Sequence, residues 1–82
     1  MGWFFKKVRF ECNACGNVVR IPLRRVHNFE MFVELEDGHA LLMECHDCHQ
    51  GVMIPGPYTK RSGRPVLIDP QNIDPDAPVF RL

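Results

Sequence analysis

The sequence holds no apolar run approaching the eighteen or so residues of a membrane-spanning helix, so no helical span is expected. It also lacks net charge, which stands at zero. A protein that coats nucleic acid unspecifically carries a clear positive excess, and that class is disfavoured here. No export signal is visible, and Met1-Gly2 does not continue into a myristoylation signal because the sixth residue is Lys6. A cytoplasmic location without membrane attachment is the expectation. The marks of catalysis are missing too. There is no Ser–His–Asp logic, no glycine loop suited to cradling phosphate, and no suggestive pairing of carboxylates. The chain is therefore expected not to be an enzyme.

Length is also scarce. A chain of 82 residues makes one small domain. At that size roughly 60% of the unfolded surface is buried, which leaves the core alone marginal. Some additional staple is expected.

Four cysteines could provide it, and they fall in two pairs, Cys12-Asn13-Ala14-Cys15 and Cys45-His46-Asp47-Cys48. A tight turn through Cys-x-x-Cys points both sulfurs one way and aims backbone N–H groups at them. Two such turns facing each other give a tetrahedral four-thiolate site, which suits one zinc ion per chain. Gly16 directly after the first pair suits a positive φ. The second pair carries His49 at that place and a glycine only at Gly51. A single iron accepts the same ligands. Cys45-His46-Asp47-Cys48-His49 also matches the attachment pattern of c-type haem, but that strands Cys12 and Cys15. Two disulfides would need an oxidising compartment. His46 and His49 are read as exposed or as donors to a thiolate rather than as ligands. His27 and His39 are read as surface residues.

The chain between and around the pairs reads as β-strand. Val8 and Phe10 alternate with Arg9 and Glu11, and Val18, Val19 and Ile21 follow the first turn, with Pro22 marking an edge or an end. Leu23 to Phe29 reads as a short connection. From Phe29 to Glu36, Met31, Val33 and Leu35 alternate with Glu30, Phe32 and Glu34, which predicts a strand. Asp37-Gly38 then predicts a type I′ hairpin turn. His39 to Cys45 returns, and Val52 to Ile54 leaves as a short strand. Six of the seven prolines lie from Pro55 onward. Residues 1–54 are read as the metal-bearing domain. Residues 55–82 are read as an extended Pro-rich segment with one short strand at Val66-Leu67-Ile68, part of it docked on the domain or on a partner.

Cys12-x-x-Cys15-Gly16, Cys45-x-x-Cys48 and the hairpins between them resemble the zinc-ribbon superfamily, also called rubredoxin-like, over roughly residues 8–54. The resemblance implies a small all-β fold of two β-hairpins, with zinc held between two Cys-x-x-Cys knuckles. It does not fix a role, because zinc ribbons occur in transcription factors, polymerase subunits, ribosomal proteins and enzyme appendages. The Asp-Glu motif of some transcript-cleavage ribbons is not evident.

Charge distribution separates the binding roles. Lys6, Lys7, Arg9, Arg20, Arg24 and Arg25 face only Glu11 in the first third, whereas Glu30 to Asp47 is wholly acidic among its charged residues. The neutral total and the apolar Pro-rich tail favour a protein–protein interaction module or subunit, within a nucleoprotein complex or outside one. The alternative is a nucleic-acid-binding ribbon that uses Arg20, Arg24, Arg25, Lys60, Arg61 and Arg64, with Trp3 and Phe4 for stacking. Electron transfer by a rubredoxin-like iron is a third reading. A homodimer that covers Phe4, Phe5 and Phe32 is a further option.

Overall fold

The computed structural model describes residues 6–36, 38–69, 73 and 77–81. The aromatic start at Trp3, Phe4 and Phe5 and the Asp37 of the expected turn lie outside them.

Alternation in Lys7–Cys12 does what it dictates. This strand, β1, buries Val8, Phe10 and Cys12 on one face and exposes Lys7, Arg9 and Glu11 on the other. The first Cys-x-x-Cys turn reverses the chain into β2, Val18–Pro22, which pairs antiparallel with β1 from Lys7↔Pro22 to Glu11↔Val18. Pro22 ends β2, and β2 is an edge of the sheet, where a residue without an N–H disturbs no ladder.

The next segment departs from the sequence expectation. Leu23–Phe32 is a ten-residue helix, α1, where a connection and the start of a strand were expected. Its inward positions are Leu23, Val26 and Glu30, a helical spacing that a charged residue interrupts. Glu30 is buried because its carboxylate is satisfied. Tyr58 Oη–H donates to Oε2 at 2.6 Å, and the Arg61 backbone N–H donates to Oε1 at 3.1 Å. α1 closes with the 6→1 and 5→2 bonds of a Schellman motif, Leu35 N–H to Glu30 O and Glu34 N–H to Met31 O. Glu34 holds the left-handed position, φ 53, where glycine is usual. With no glycine to mark it, the helix end reads as a continuing strand. Met31, Val33 and Leu35 alternate in sequence but lie in the last turn and the cap.

The second hairpin is thus shorter and lies later than expected. β3, Leu42–Glu44, leads into the second Cys-x-x-Cys turn, and β4, Val52–Pro55, leaves it. The two pair antiparallel through Met43↔Met53. β4 then pairs antiparallel with β1, with Cys12 opposite Met53. Each hairpin carries one knuckle, and the β1–β4 pairing sets the two knuckles side by side at one end of the sheet. The mostly-β class with two knuckled hairpins therefore holds, with one short helix added.

Beyond Pro55, β5 (Tyr58–Thr59) and β6 (Pro65–Val66) form a small antiparallel ribbon. Tyr58 and Val66 are buried in the same core as Phe10, Val26 and Leu41. β7, Val79–Phe80, runs parallel to β3 and completes the sheet order β2-β1-β4-β3-β7. The Phe80 ring meets Phe29 edge-on, with centroids 6.3 Å apart. His27 of α1 donates through Nε2–H to the Thr59 carbonyl at 2.7 Å. No helix among the described residues is long and apolar enough to cross a membrane.

Candidate metal centre

Both knuckles repeat one backbone device. In the first, the Gly16 N–H donates to the Cys12 carbonyl at 3.1 Å. In the second, the His49 N–H donates to the Cys45 carbonyl at 3.0 Å. Both closing residues take positive φ, 77° at Gly16 and 57° at His49. His49 therefore occupies the position that glycine fills in the first turn. The loops close one residue apart: Cys12 N–H reaches Asn17 O, but Cys45 N–H reaches Gly51 O. The second knuckle is longer by one residue.

Gly51 has a role other than turn geometry. A Cβ built there would stand 2.3 Å from Cys12 Sγ and 2.8 Å from the Ala14 Cβ. Its missing side chain is the space in which the second knuckle approaches the first. Asn13 binds the two together from the other side. Its N–H donates to Val52 O at 3.1 Å, and its Oδ1 accepts from Val52 N–H at 2.9 Å. The sequence offered hints of neither role, because both act between segments far apart in the chain.

The four sulfurs converge. All lie within 4.8 Å of one another, with Cys12 and Cys48 Sγ 3.7 Å apart and Cys15 and Cys45 Sγ 3.7 Å apart. A tetrahedron of about 2.3 Å Zn–S bonds has edges of about 3.8 Å. A disulfide requires about 2.05 Å, and none of the four cysteines is disulfide-bonded. Cys12 and Cys45 are buried, Cys48 is half-buried and Cys15 is exposed.

Electrostatics in the cluster favour a thiolate on Cys12. The backbone N–H groups of Cys15 and Ala14 each lie 3.4 Å from its sulfur. The Cys15 N–H foremost, with the Ala14 N–H and the Cys15 and Cys45 sulfurs, outweighs burial and holds the Cys12 thiol down to about 6. Cys15 goes the other way. The Asn17 N–H favours its thiolate, but the Cys12 sulfur, desolvation and the remaining two sulfurs together push it up to about 12. Four thiolates packed this closely repel one another, and a divalent cation at their centre removes the conflict. The donor set fits Zn²⁺ and equally a single iron.

His46 and His49 are exposed and lie outside the sulfur cluster. Their rings stand 6.3 Å apart, and His49 Nδ1 is 3.7 Å from Glu44 Oε1. The basic residues of the nucleic-acid reading are spread over three elements. Arg20 stands on β2 opposite Arg9, Arg24 and Arg25 lie in the first turn of α1, and Arg61 and Arg64 lie in the β5–β6 connection. Lys60 departs from expectation. It is buried, 4% exposed, and its ammonium donates to the carbonyls of Glu36 and His39. It is a structural cation that satisfies the chain after α1, not a surface contact for phosphate.

No protein-family model, no curated protein and no solved structure matches this chain. The arrangement of the four cysteines is compatible with a zinc ribbon.

Proposed function

We propose that this protein is a non-catalytic, zinc-stapled module whose work is to bind another protein. The observation that carries the reading is the sulfur tetrad, with two 3.7 Å edges that match a tetrahedral zinc site. Four cysteines fill such a site and leave no position open for water or substrate, so its metal contributes folding energy rather than Lewis-acid chemistry. The binding role is supported by apolar side chains left in solvent. Phe32 and Leu67 are each 80% exposed, and Met31 is 53% exposed. Exposed aromatic and methionine side chains are enriched at protein interfaces. The nucleic-acid reading loses Lys60, and its arginines lie on separate elements, Arg20 on β2 and Arg24 and Arg25 on α1.

Metal content of the untagged protein, with its visible spectrum, tests the staple. One zinc per chain, no colour, and loss of the folded state on chelation are expected. A red protein with thiolate-to-iron absorption would move it to electron transfer. A colourless protein that keeps its fold with no metal would remove the staple altogether.

A further inference from the structure

We propose that the exposed face of α1 is a homodimer interface, on which a second copy of this chain seats its own α1 antiparallel across a two-fold axis near Asn28. This extends the binding-module reading by naming one partner, and it rests on the same folded chain.

Three observations converge on that face. First, α1 turns Leu23, Val26 and Glu30 inward and leaves Arg25, Asn28 and Phe32 at helical spacing on the opposite side. A phenyl ring 80% exposed at the end of a helix, with the Phe29 ring 6.4 Å away between centroids, is a large apolar group left mostly in solvent. Second, Phe32 stands at the wall of a groove of about 470 Å³, whose lining also includes Ile21, Arg25, Phe29, Leu41 and Met43. In a two-fold arrangement, Phe32 of each copy enters the groove of the other. There the Arg25 guanidinium meets the face of an incoming ring, a cation–π contact.

Third, the charges on α1 are reversed relative to its own dipole. Its first turn holds no acidic residue and its last turn no basic one. Arg24 and Arg25 instead sit at the N-terminal end, and Glu34 and Glu36 follow the C-terminal end, each next to a partial charge of its own sign. Neither Arg24, Arg25 nor Glu34 forms an ion pair among the described residues. An antiparallel second copy corrects the mismatch. It brings the other helix's C-terminal end and Glu34 to Arg24, and the symmetry makes that contact twice. A single-sign partner would satisfy only one end of the helix.

Sedimentation velocity of the metal-loaded full chain, from about 1 to about 200 μM, tests the interface. The expected result is a monomer–dimer equilibrium within that range. Phe32→Glu is expected to be monomeric throughout, with unchanged metal content, because that side chain is mostly in solvent in the folded chain. Arg24→Glu and Glu34→Arg are each expected to weaken the dimer at least about tenfold, since each creates two like-charge contacts. Mixing those two variants is the sharp test. Their heterodimer regains both opposite-charge contacts and is expected to recover near-wild-type affinity. A wild type that stays monomeric to the highest concentration overturns the proposal. So does a dimer indifferent to Phe32→Glu, or a mixture no tighter than its components. A wild-type monomer that dimerises only after removal of residues 1–5 also overturns it, and assigns the groove to the chain's own aromatic start. Metal content is assayed separately, so failure of the interface and failure of the staple are read out independently.

Discussion

Gly51→Ala places one methyl group between the two knuckles, and the structure sets its consequence. The new Cβ would lie 2.3 Å from Cys12 Sγ, 2.8 Å from the Ala14 Cβ and 3.1 Å from the Ala14 nitrogen. Ordinary contact begins at about 3.5 Å, so carbon and sulfur must part by roughly 1.2 Å. A metal site tolerates displacements of about 0.2 Å in its ligand distances, so the sulfur cannot give way with the metal in place. The second knuckle must move instead, against the Cys45 N–H to Gly51 O bond and the two Asn13–Val52 bonds. Forced overpacking of this kind costs about 1–3 kcal/mol or more. At 1.4 kcal/mol per tenfold, the upper figure is a loss of roughly 100-fold in zinc affinity. Competition against a chromophoric chelator measures it directly. Gly56→Ala is the control, because its Cβ would meet only the Arg9 carbonyl oxygen at an ordinary 3.5 Å. Gly51→Ala,Ala14→Gly should recover little, since the contact with sulfur remains. Zinc affinity for Gly51→Ala within about threefold of wild type would refute the close approach of the knuckles and with it the geometry of the centre.

Four further substitutions test the frame around the centre. Tyr58→Phe removes the hydrogen bond to the buried Glu30 carboxylate and should cost about 1.5–3 kcal/mol in chemical denaturation. Burial first, then Glu30, raises the Tyr58 phenol above its ordinary range. The folded form thus keeps a proton that the unfolded chain loses near pH 10, so this contribution is whole below about pH 10 and declines as pH rises further. The wild type should lose stability above that pH, and the Phe variant should lose less of it. Lys60→Met leaves the Glu36 and His39 carbonyls without their ammonium donor and should cost about 1–3 kcal/mol; an unchanged thermal midpoint would return Lys60 to the surface. His49→Gly and Glu34→Gly relieve positive φ at non-glycine residues, and each should raise stability at fixed excess zinc by about 0.5–1 kcal/mol.

What the sequence made legible was whatever depends on near neighbours. The period-two burial of β1, the edge position of Pro22 and the turn logic of Gly16 are local, and the structure contains each of them. The helix was hidden for two physical reasons. Its inward face includes Glu30, and a carboxylate there is stable only because Tyr58 and Arg61, some thirty residues later, supply donors. Its end lacks glycine at the left-handed position, where Glu34 stands instead. A helix whose face and stop signal are both provided by charged residues has the local pattern of a solvated strand. Lys60 misleads in the same way. Beside Arg61 and Arg64 it reads as part of a basic surface, yet it points inward to carbonyls that only the fold brings near.

The metal centre shows where this local logic stops. Spacing alone pairs Cys12 with Cys15 and Cys45 with Cys48, but it cannot say that the pairs meet. They meet because β4 leaves the second knuckle and pairs directly with β1, setting Met53 opposite Cys12. That register also puts Gly51 against Cys12 Sγ and Asn13 against Val52, so strand pairing and sulfur geometry are one constraint. Metal binding should therefore be cooperative with the whole sheet. A substitution that slips β1 against β4 by one residue would separate the sulfurs, and loss of the metal would release the pairing. In a chain this small the centre is less an ornament on a finished fold than the contact that makes the central strand pair worth forming.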